Sequence, residues 1–362
     1  VPVERTRYGT WRARWTDPWG RQVAKSHKTK ALADAHYRKV LGDMARGDYV
    51  DPRLGRITLE RWADEWLAGA RNLSRGGHDT YRRDLDRHIL PALGKVPVGR
   101  LASQDVDRYL TTEAGPLAPS TVHRHYRTLH RMLAVAVKRG LIPRNPCEHI
   151  EPPRVPRKER TALTIAQVDD LADTISSRYR AWVYVMAYGG LRWSESVGLR
   201  RGRVDIPTVR VTEQLIHRGP GEWERTQPKT GKGRVVTLPG FAADELAVHL
   251  ERYSLPGPDG LVFPTGRGTP VQSPSFTANV FKRALRKAGL PDVRIHDLRH
   301  TAVSLAIDAG ANVKVSQARA GHASASLHLD TYGHRYEAAD VAVAERLDVL
   351  RAESQRRRLR AV

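Results

Sequence analysis

Five short segments in the second half of the chain carry residue types suited to phosphoryl transfer. They are Gly190-Leu191-Arg192-Trp193-Ser194-Glu195, Pro228-Lys229-Thr230-Gly231, His296-Asp297-Leu298-Arg299-His300, Gly321-His322-Ala323-Ser324 and Asp330-Thr331-Tyr332. Cutting DNA by transesterification makes three demands. The non-bridging phosphate oxygens must be held while their charge grows, a nucleophile must be aligned and deprotonated, and the leaving 5′ oxygen must receive a proton. A guanidinium meets the first demand, because its planar fork matches two phosphate oxygens and stays charged. Arg192 and Arg299 are the candidates, with Glu195 placed to orient Arg192. An ammonium can meet the third demand if its pKa falls from about 10.4. Lys229 and Lys232 both lie in Gln227-Pro228-Lys229-Thr230-Gly231-Lys232-Gly233-Arg234, which reads as a hairpin tip between strands at 209–216 and 234–238.

The second demand needs a base and a phenol. Imidazole titrates near neutrality, so His296 can take or relay a proton. Its spacing to Arg299 puts both on one face of a helix continuing through Leu305. A phenol, with an ordinary pKa of about 10, becomes a nucleophile only beside cations and a base. Tyr332, Tyr336 and Tyr188 are available. His296 and His300 also have the spacing of the zinc motif His-Glu-x-x-His. Asp297 stands where that motif has glutamate, and Arg299 between the ligands disfavours a cation, so His300 is expected to be a structural partner of its helix. No phosphate-binding Gly-x-x-x-x-Gly-Lys-[Ser/Thr] loop is present. A covalent intermediate would conserve the bond energy, so the expectation is an enzyme with no cofactor and no metal.

The rest of the chain must position these groups on a polyanion. Lys+Arg number 61 against 39 Asp+Glu, a formal net charge of +22, which points to nucleic acid. Hydrophobic residues make up 40%, enough for ordinary cores, and 362 residues suit two or three domains. The single cysteine, Cys147, permits no internal disulfide and no cysteine zinc site, so a reducing compartment fits. No apolar run reaches membrane-span length and the N-terminus has no apolar signal core, so a soluble cytoplasmic protein is expected.

Residues 1–50 form a small basic unit. Trp11-Arg12-Ala13-Arg14-Trp15 alternates as a strand does, with Trp11, Ala13 and Trp15 toward a helix and Arg12 and Arg14 outward. A turn at 17–20 and a returning strand at 21–27 follow, then a helix at 31–45 that can bury Leu32, Ala35, Tyr37, Val40 and Leu41. Arg12, Arg14, Arg21 and Lys25 are candidate DNA contacts, since a small sheet with a cationic face can lie in a major groove.

Residues 57–149 read as all-helical. Leu59, Trp62, Ala63, Trp66 and Leu67 share one face, further helices fit 79–89 and 104–112, and a fourth begins after a Ser120 cap with Val122, Tyr126, Leu129, Leu133 and Val137 inward. Arg82, Arg83, Arg124, Arg127 and Arg131 face out as candidate phosphate contacts. Residues 150–161 are a proline-rich basic linker whose Arg154, Arg157 and Lys158 could track a DNA backbone. Thr164-Ile165-Ala166-Gln167 is a capping box opening the last domain, 162–362, mainly helical with one β-rich stretch at 208–239. The fold class is multidomain α+β: a sheet-plus-helix unit, an all-α unit, and a mainly α unit with a small antiparallel sheet.

The ordered set Arg192, Lys229, His296-x-x-Arg299, His322, Tyr332 resembles the tyrosine recombinases of the phage-integrase family, and the resemblance covers nearly the whole chain. It implies that Lys229 rather than Lys232 protonates the leaving oxygen, that His322 hydrogen-bonds the phosphate, and that Tyr332 attacks to give a 3′-phosphotyrosyl link. It also implies an arm-type DNA-binding domain at 1–50, a core-binding domain at 57–149, and a catalytic domain after the linker. The implied partners are double-stranded DNA with core-type and arm-type sites, three further copies in a tetramer exchanging strands through a Holliday junction, and an excisionase or DNA-bending host factor. Tyr332 lies ten residues after His322, about one more than the commonest family spacing, which leaves the path at 325–329 open. An Xer-like or transposon resolvase shares the chemistry, and a non-catalytic DNA-binding protein derived from an integrase shares the charge.

Overall fold

The structure is a computed structural model, which describes residues 2–47, 49–51, 53–156, 161–228, 231, 233–321, 324, 326, 329, 332–333, 344 and 347–352. The chain divides into two compact units, Val1–Arg157 and Lys158–Val362.

The first unit opens with three antiparallel strands in sequence order, Val3–Arg5, Trp11–Thr16 and Gln22–His27, and the helix Lys30–Ala45. Alternation works as expected: Ala13 and Trp15 are buried, Val23 lies opposite Trp15, and Arg14 projects outward to Glu4, 2.8 Å away. The register corrects one expectation. Lys25 pairs with Ala13, so it shares the helix-facing side and not the face of Arg12 and Arg14. The helix keeps Tyr37 and Val40 of the expected stripe on its inner face but not Leu32, Ala35 or Leu41. Ala33 and Val40 are buried, with Tyr37 and Met44 against them, whereas Leu32 and Leu41 are exposed. Positions 33, 37, 40 and 44 form one helical face, and the small Ala33 lets the helix approach the sheet closely.

Arg21 is drawn into an ion-pair cluster. It donates to the buried Asp17 (2.7 Å) and to the buried Asp51 (3.2 Å), and Arg53 holds Asp51 at two points.

The helical part of this unit packs around Trp62, Leu85, Ile89, Leu129, Met132 and Leu133. Leu59–Ala68 buries all five residues of the expected stripe, and Thr58 caps it. The next helix starts earlier than 79, at Arg75, because Ser74 accepts from the Gly77 amide; it runs to Asp84 and continues through a π-turn at Leu85–Ile89. Ser103–Arg108 also ends in a π-turn, Tyr109–Glu113. The fourth helix, Pro119–Lys138, begins one residue before Ser120, since Pro119 occupies its first position with φ already helical. Its cations are not equivalent. Arg124 clamps the buried Asp84, Arg131 bonds the Tyr81 hydroxyl (3.0 Å), and on the helix Arg75–Asp84 Arg82 reaches Asp64 (2.8 Å). Arg83 and Arg127 are exposed. Arg154 is exposed in a stretch without regular secondary structure; Arg157 and Lys158 lie outside the described residues.

The second unit is organised around Ser177–Gly189, a helix whose residues 181–187 are all buried. Apolar on every side, it serves as a central helix, with Ile165–Thr174, Gly240–Arg252 and Ile295–Asp308 packed against it. The expected capping box is present: Thr164 accepts from the Gln167 amide and Gln167 from the Thr164 amide.

The β-rich stretch differs from the single hairpin expected. Thr208–Val211 pairs directly with Arg234–Thr237, and Val204–Asp205 adds a third strand. Between them a separate hairpin, Gln214–Gly219 with Glu222–Thr226, is inserted. Its turn uses Gly221 at φ +73°, so the chain reverses there and not first at 228–231. Among the described residues, no helix is long and apolar enough to cross a membrane.

Candidate active site

Gly190 ends the central helix in the left-handed conformation, φ +66°, and Arg192 precedes the short helix Trp193–Val197. Glu195, fully buried, folds back to accept from the Arg192 backbone amide (2.7 Å) and from Arg192 Nη1 (2.8 Å). The second arm of Arg192, Nη2, donates to the Gly321 carbonyl (3.0 Å). The first and fourth sequence segments therefore meet across 129 residues.

Arg299 enters from the opposite side, on the helix Ile295–Asp308. It is 2% exposed, and its Nη1 donates to the Gly190 carbonyl at 2.6 Å. Its Nη2 is buried with no hydrogen-bond partner among the described residues. Burial, with Arg192 and Arg234 adding like charge, pushes its pKa well below the ordinary guanidinium value. Among the described residues both arginines keep donors beyond those the protein uses, and with Glu195 beside Arg192 they make a cationic pocket matched to a phosphate diester.

Arg234, which lies outside the five sequence segments, completes this pocket. It donates to both Glu195 oxygens (Nη1–Oε1 3.1 Å, Nη2–Oε2 2.8 Å), to the Gly190 carbonyl (3.4 Å) and, through Nε, to the Arg319 carbonyl (2.9 Å). Strand alternation was the available signal: Val236 is buried and Val235 exposed, so period two turns Arg234 inward. Burial raises the Glu195 carboxyl pKa, but the hydrogen bonds and charges of Arg234 and Arg192 outweigh it and hold the group down at about 2.

The remaining groups gather on the Arg299 helix. Its start is fixed by Asp297, which accepts from the Arg294 amide (2.8 Å) and guanidinium. His300 is more than a helix-packing residue: its Nδ1 hydrogen-bonds the Tyr332 hydroxyl. Its ring also lies 5.1 Å from that of His296, edge to face. Tyr332 is 4% exposed and packs on Val303, Ile307 and Ala320. Tyr188, the other described tyrosine candidate, packs edge-on to Phe241, and burial pushes its phenol pKa up, which disfavours the phenolate. Lys229, Lys232, His322 and Tyr336 lie outside the described residues, as does most of the 325–329 path.

Comparisons with known proteins place the chain in a family. Residues 161–338 match the Phage integrase family, and residues 59–152 match the Phage integrase central domain. The chain is 32% identical over 302 residues to the integrase of Mycobacterium phage L5, covering 81% of this chain and 80% of that protein. It is 30% identical over 307 residues to the integrase of Mycobacterium phage D29, covering 81% and 79%. Two solved structures share the fold. The Tn1549 transposon integrase in complex with transposon right end DNA aligns with a TM-score of 0.70 at 20% identity, over 80% of this chain and 99% of that one. A lambda integrase dimer bound to a COC′ core site aligns with a TM-score of 0.62 at 18% identity, over 92% and 95%. The chain belongs to the phage integrase family, and its activity is that of a site-specific tyrosine recombinase.

Proposed function

We propose that the chain cleaves and rejoins attachment-site DNA through a 3′-phosphotyrosyl bond at Tyr332, integrating or excising a phage or other mobile element. One observation carries this assignment. Arg192 and Arg299, which converge around the Gly190 turn, belong to the same side-chain cluster as a tyrosine bonded to a histidine on the Arg299 helix. The two guanidiniums hold the non-bridging oxygens and offset the charge that grows on them. The Tyr332 oxygen attacks phosphorus, its proton passing to the His300–His296 pair. The bond from phosphorus to the 5′ oxygen breaks, and that oxygen takes a proton from Lys229. His322 adds a hydrogen bond to the phosphate. Rejoining runs the same steps backward from a 5′ hydroxyl, so no external energy source is required.

The recombinase works on DNA as a homotetramer in this reading. A lambda integrase tetramer has been solved bound to a Holliday junction, and the shared fold supports carrying that arrangement over. The sheet-plus-helix unit at the N-terminus, with Arg12 and Arg14 on its outer face, favours an arm-binding integrase over a two-domain resolvase. An excisionase and a DNA-bending host protein are the accessory partners expected, in the cytoplasm of a bacterial host.

The test uses a duplex carrying the attachment site that footprinting of the full-length chain identifies, nicked beside the crossover. The expected product is a denaturant-resistant protein–DNA adduct that forms in EDTA and is lost in Tyr332→Phe while DNA binding persists. An adduct that survives in Tyr332→Phe would overturn the assignment of the nucleophile. Deleting residues 1–50 should abolish binding to distal sites and spare the core site; loss of core binding alone would refute the arm assignment.

A further inference from the structure

We propose that Arg234 is a positioning residue for strand cleavage: it neutralises Glu195 so that the charges of Arg192 and Arg299 remain available to the scissile phosphate. The inference rests on the recombinase reading above and extends it to a residue outside the motif set. The three arginines of the pocket differ in how many of their donors the protein uses. Among the described residues, Arg299 gives one hydrogen bond and Arg192 two. Arg234 gives four, to Glu195 twice, to Gly190 and to Arg319. A guanidinium has five N–H donors in a rigid fork, so Arg234 is almost wholly engaged while the other two retain donors for a ligand.

The charges give the same division. Among the described residues, Arg192 and Arg234 pair with the fully buried Glu195 carboxylate and the charge of Arg299 lies nearby, a local sum of +2. Glu195 needs a partner, because a buried carboxylate is stable only when paired and hydrogen-bonded. Without Arg234 that partner is Arg192 alone, and the sum falls to +1 where phosphate charge must be offset. Arg234 and Arg192 together hold the Glu195 carboxyl at about 2, which keeps it an acceptor throughout the working pH range.

Arg234 also ties the segments together. It is the first residue of its strand, opposite Val211, and only 9% of its side chain is exposed. It shares the Gly190 carbonyl with Arg299. It packs under Gly321, where a Cβ would stand 3.1 Å from its Cδ, and the Gly321 carbonyl in turn holds Arg192.

The experiment measures single-turnover adduct formation on the nicked attachment-site duplex at saturating DNA, together with the Kd for that duplex. Full-length wild type and Tyr332→Phe are run alongside. Arg234→Met is expected to slow adduct formation by roughly tenfold or more, as loss of a supporting contact does at other preorganised sites. Its Kd should move by no more than about threefold. Arg234→Lys should recover part of the rate, since it restores the charge without the fork. The decisive arm is the double variant Arg234→Met with Glu195→Gln. With no carboxylate left to neutralise, it should cleave faster than Arg234→Met alone. A merely structural role predicts a double variant as slow as the two defects combined, and that result overturns the proposal. So does an Arg234→Met rate within about twofold of wild type. If Arg234→Met fails to fold, the double variant, checked by circular dichroism, is compared with Glu195→Gln instead: a rate within about threefold of it supports the proposal, and a further loss of about tenfold or more overturns it. An adduct that persists in Tyr332→Phe would instead sink the recombinase assignment of Tyr332, which keeps the two failures distinct.

Discussion

Arg124 grips Asp84 at two points, Nε to Oδ2 at 2.6 Å and Nη2 to Oδ1 at 3.0 Å, with the carboxylate 1% exposed and the guanidinium rim open to solvent. A residue placed by its charge on a DNA-facing surface thus also closes the helical core. Arg124→Ala would leave a buried carboxylate beside His125 and should destabilise the first unit by about 3 kcal/mol. Urea denaturation followed by circular dichroism measures this, and a loss under about 1 kcal/mol would show that water replaces the guanidinium without penalty.

Arg127, one position past the buried face and exposed, has a different prediction. Arg127→Ala should leave stability unchanged, weaken core-site binding about equally for all sequences, and reduce the slope of log K against log salt by about 1. An unchanged salt slope removes Arg127 from the phosphate contacts.

His300→Ala should slow adduct formation by about 100-fold near neutral pH, the usual scale for losing a positioned proton acceptor. The deficit should shrink as pH rises toward about 10, where a phenol ionises without help. A deficit constant across pH would assign His300 to orienting Tyr332 rather than to its proton.

Glu195 carries a stability prediction. Its folded pKa of about 2 lies below the ordinary 4.5. A depressed carboxylate stabilises fully above the unfolded value and loses that contribution as pH falls through the folded one. The advantage of wild type over Glu195→Gln, roughly 3 kcal/mol by this linkage, should therefore be complete above pH 4.5 and fade toward pH 2. A melting-temperature difference that stays constant from pH 6 to pH 2 would contradict the ion-pair geometry.

Local patterns carried far in this chain. The Leu59-to-Leu67 stripe, the Thr164 box and the helix through Leu305 lie where spacing put them, because each depends on neighbours within a turn or two. The inserted hairpin did not show, since Pro228-Lys229-Thr230-Gly231 is as good a turn signal as Gly219-Pro220-Gly221 and strand pairing depends on distant partners. Arg234 was hidden for a related reason: nothing near it in sequence says that it faces Glu195, 39 residues away. Likewise His300 looks like a helix-packing residue until the chain returns with Tyr332, 32 residues on.

The half-used guanidinium of Arg299 has a consequence for anyone improving this enzyme. A buried cation with a donor unmatched among the described residues, and with like-charged neighbours, makes the folded protein less stable than its packing would allow. Selection for heat resistance alone should therefore drift toward neutral residues at position 299, such as methionine, and collect well-folded proteins that no longer recombine. A screen that keeps strand exchange as its gate avoids that outcome. It will find its stabilising changes elsewhere, in the helical core and on the surface.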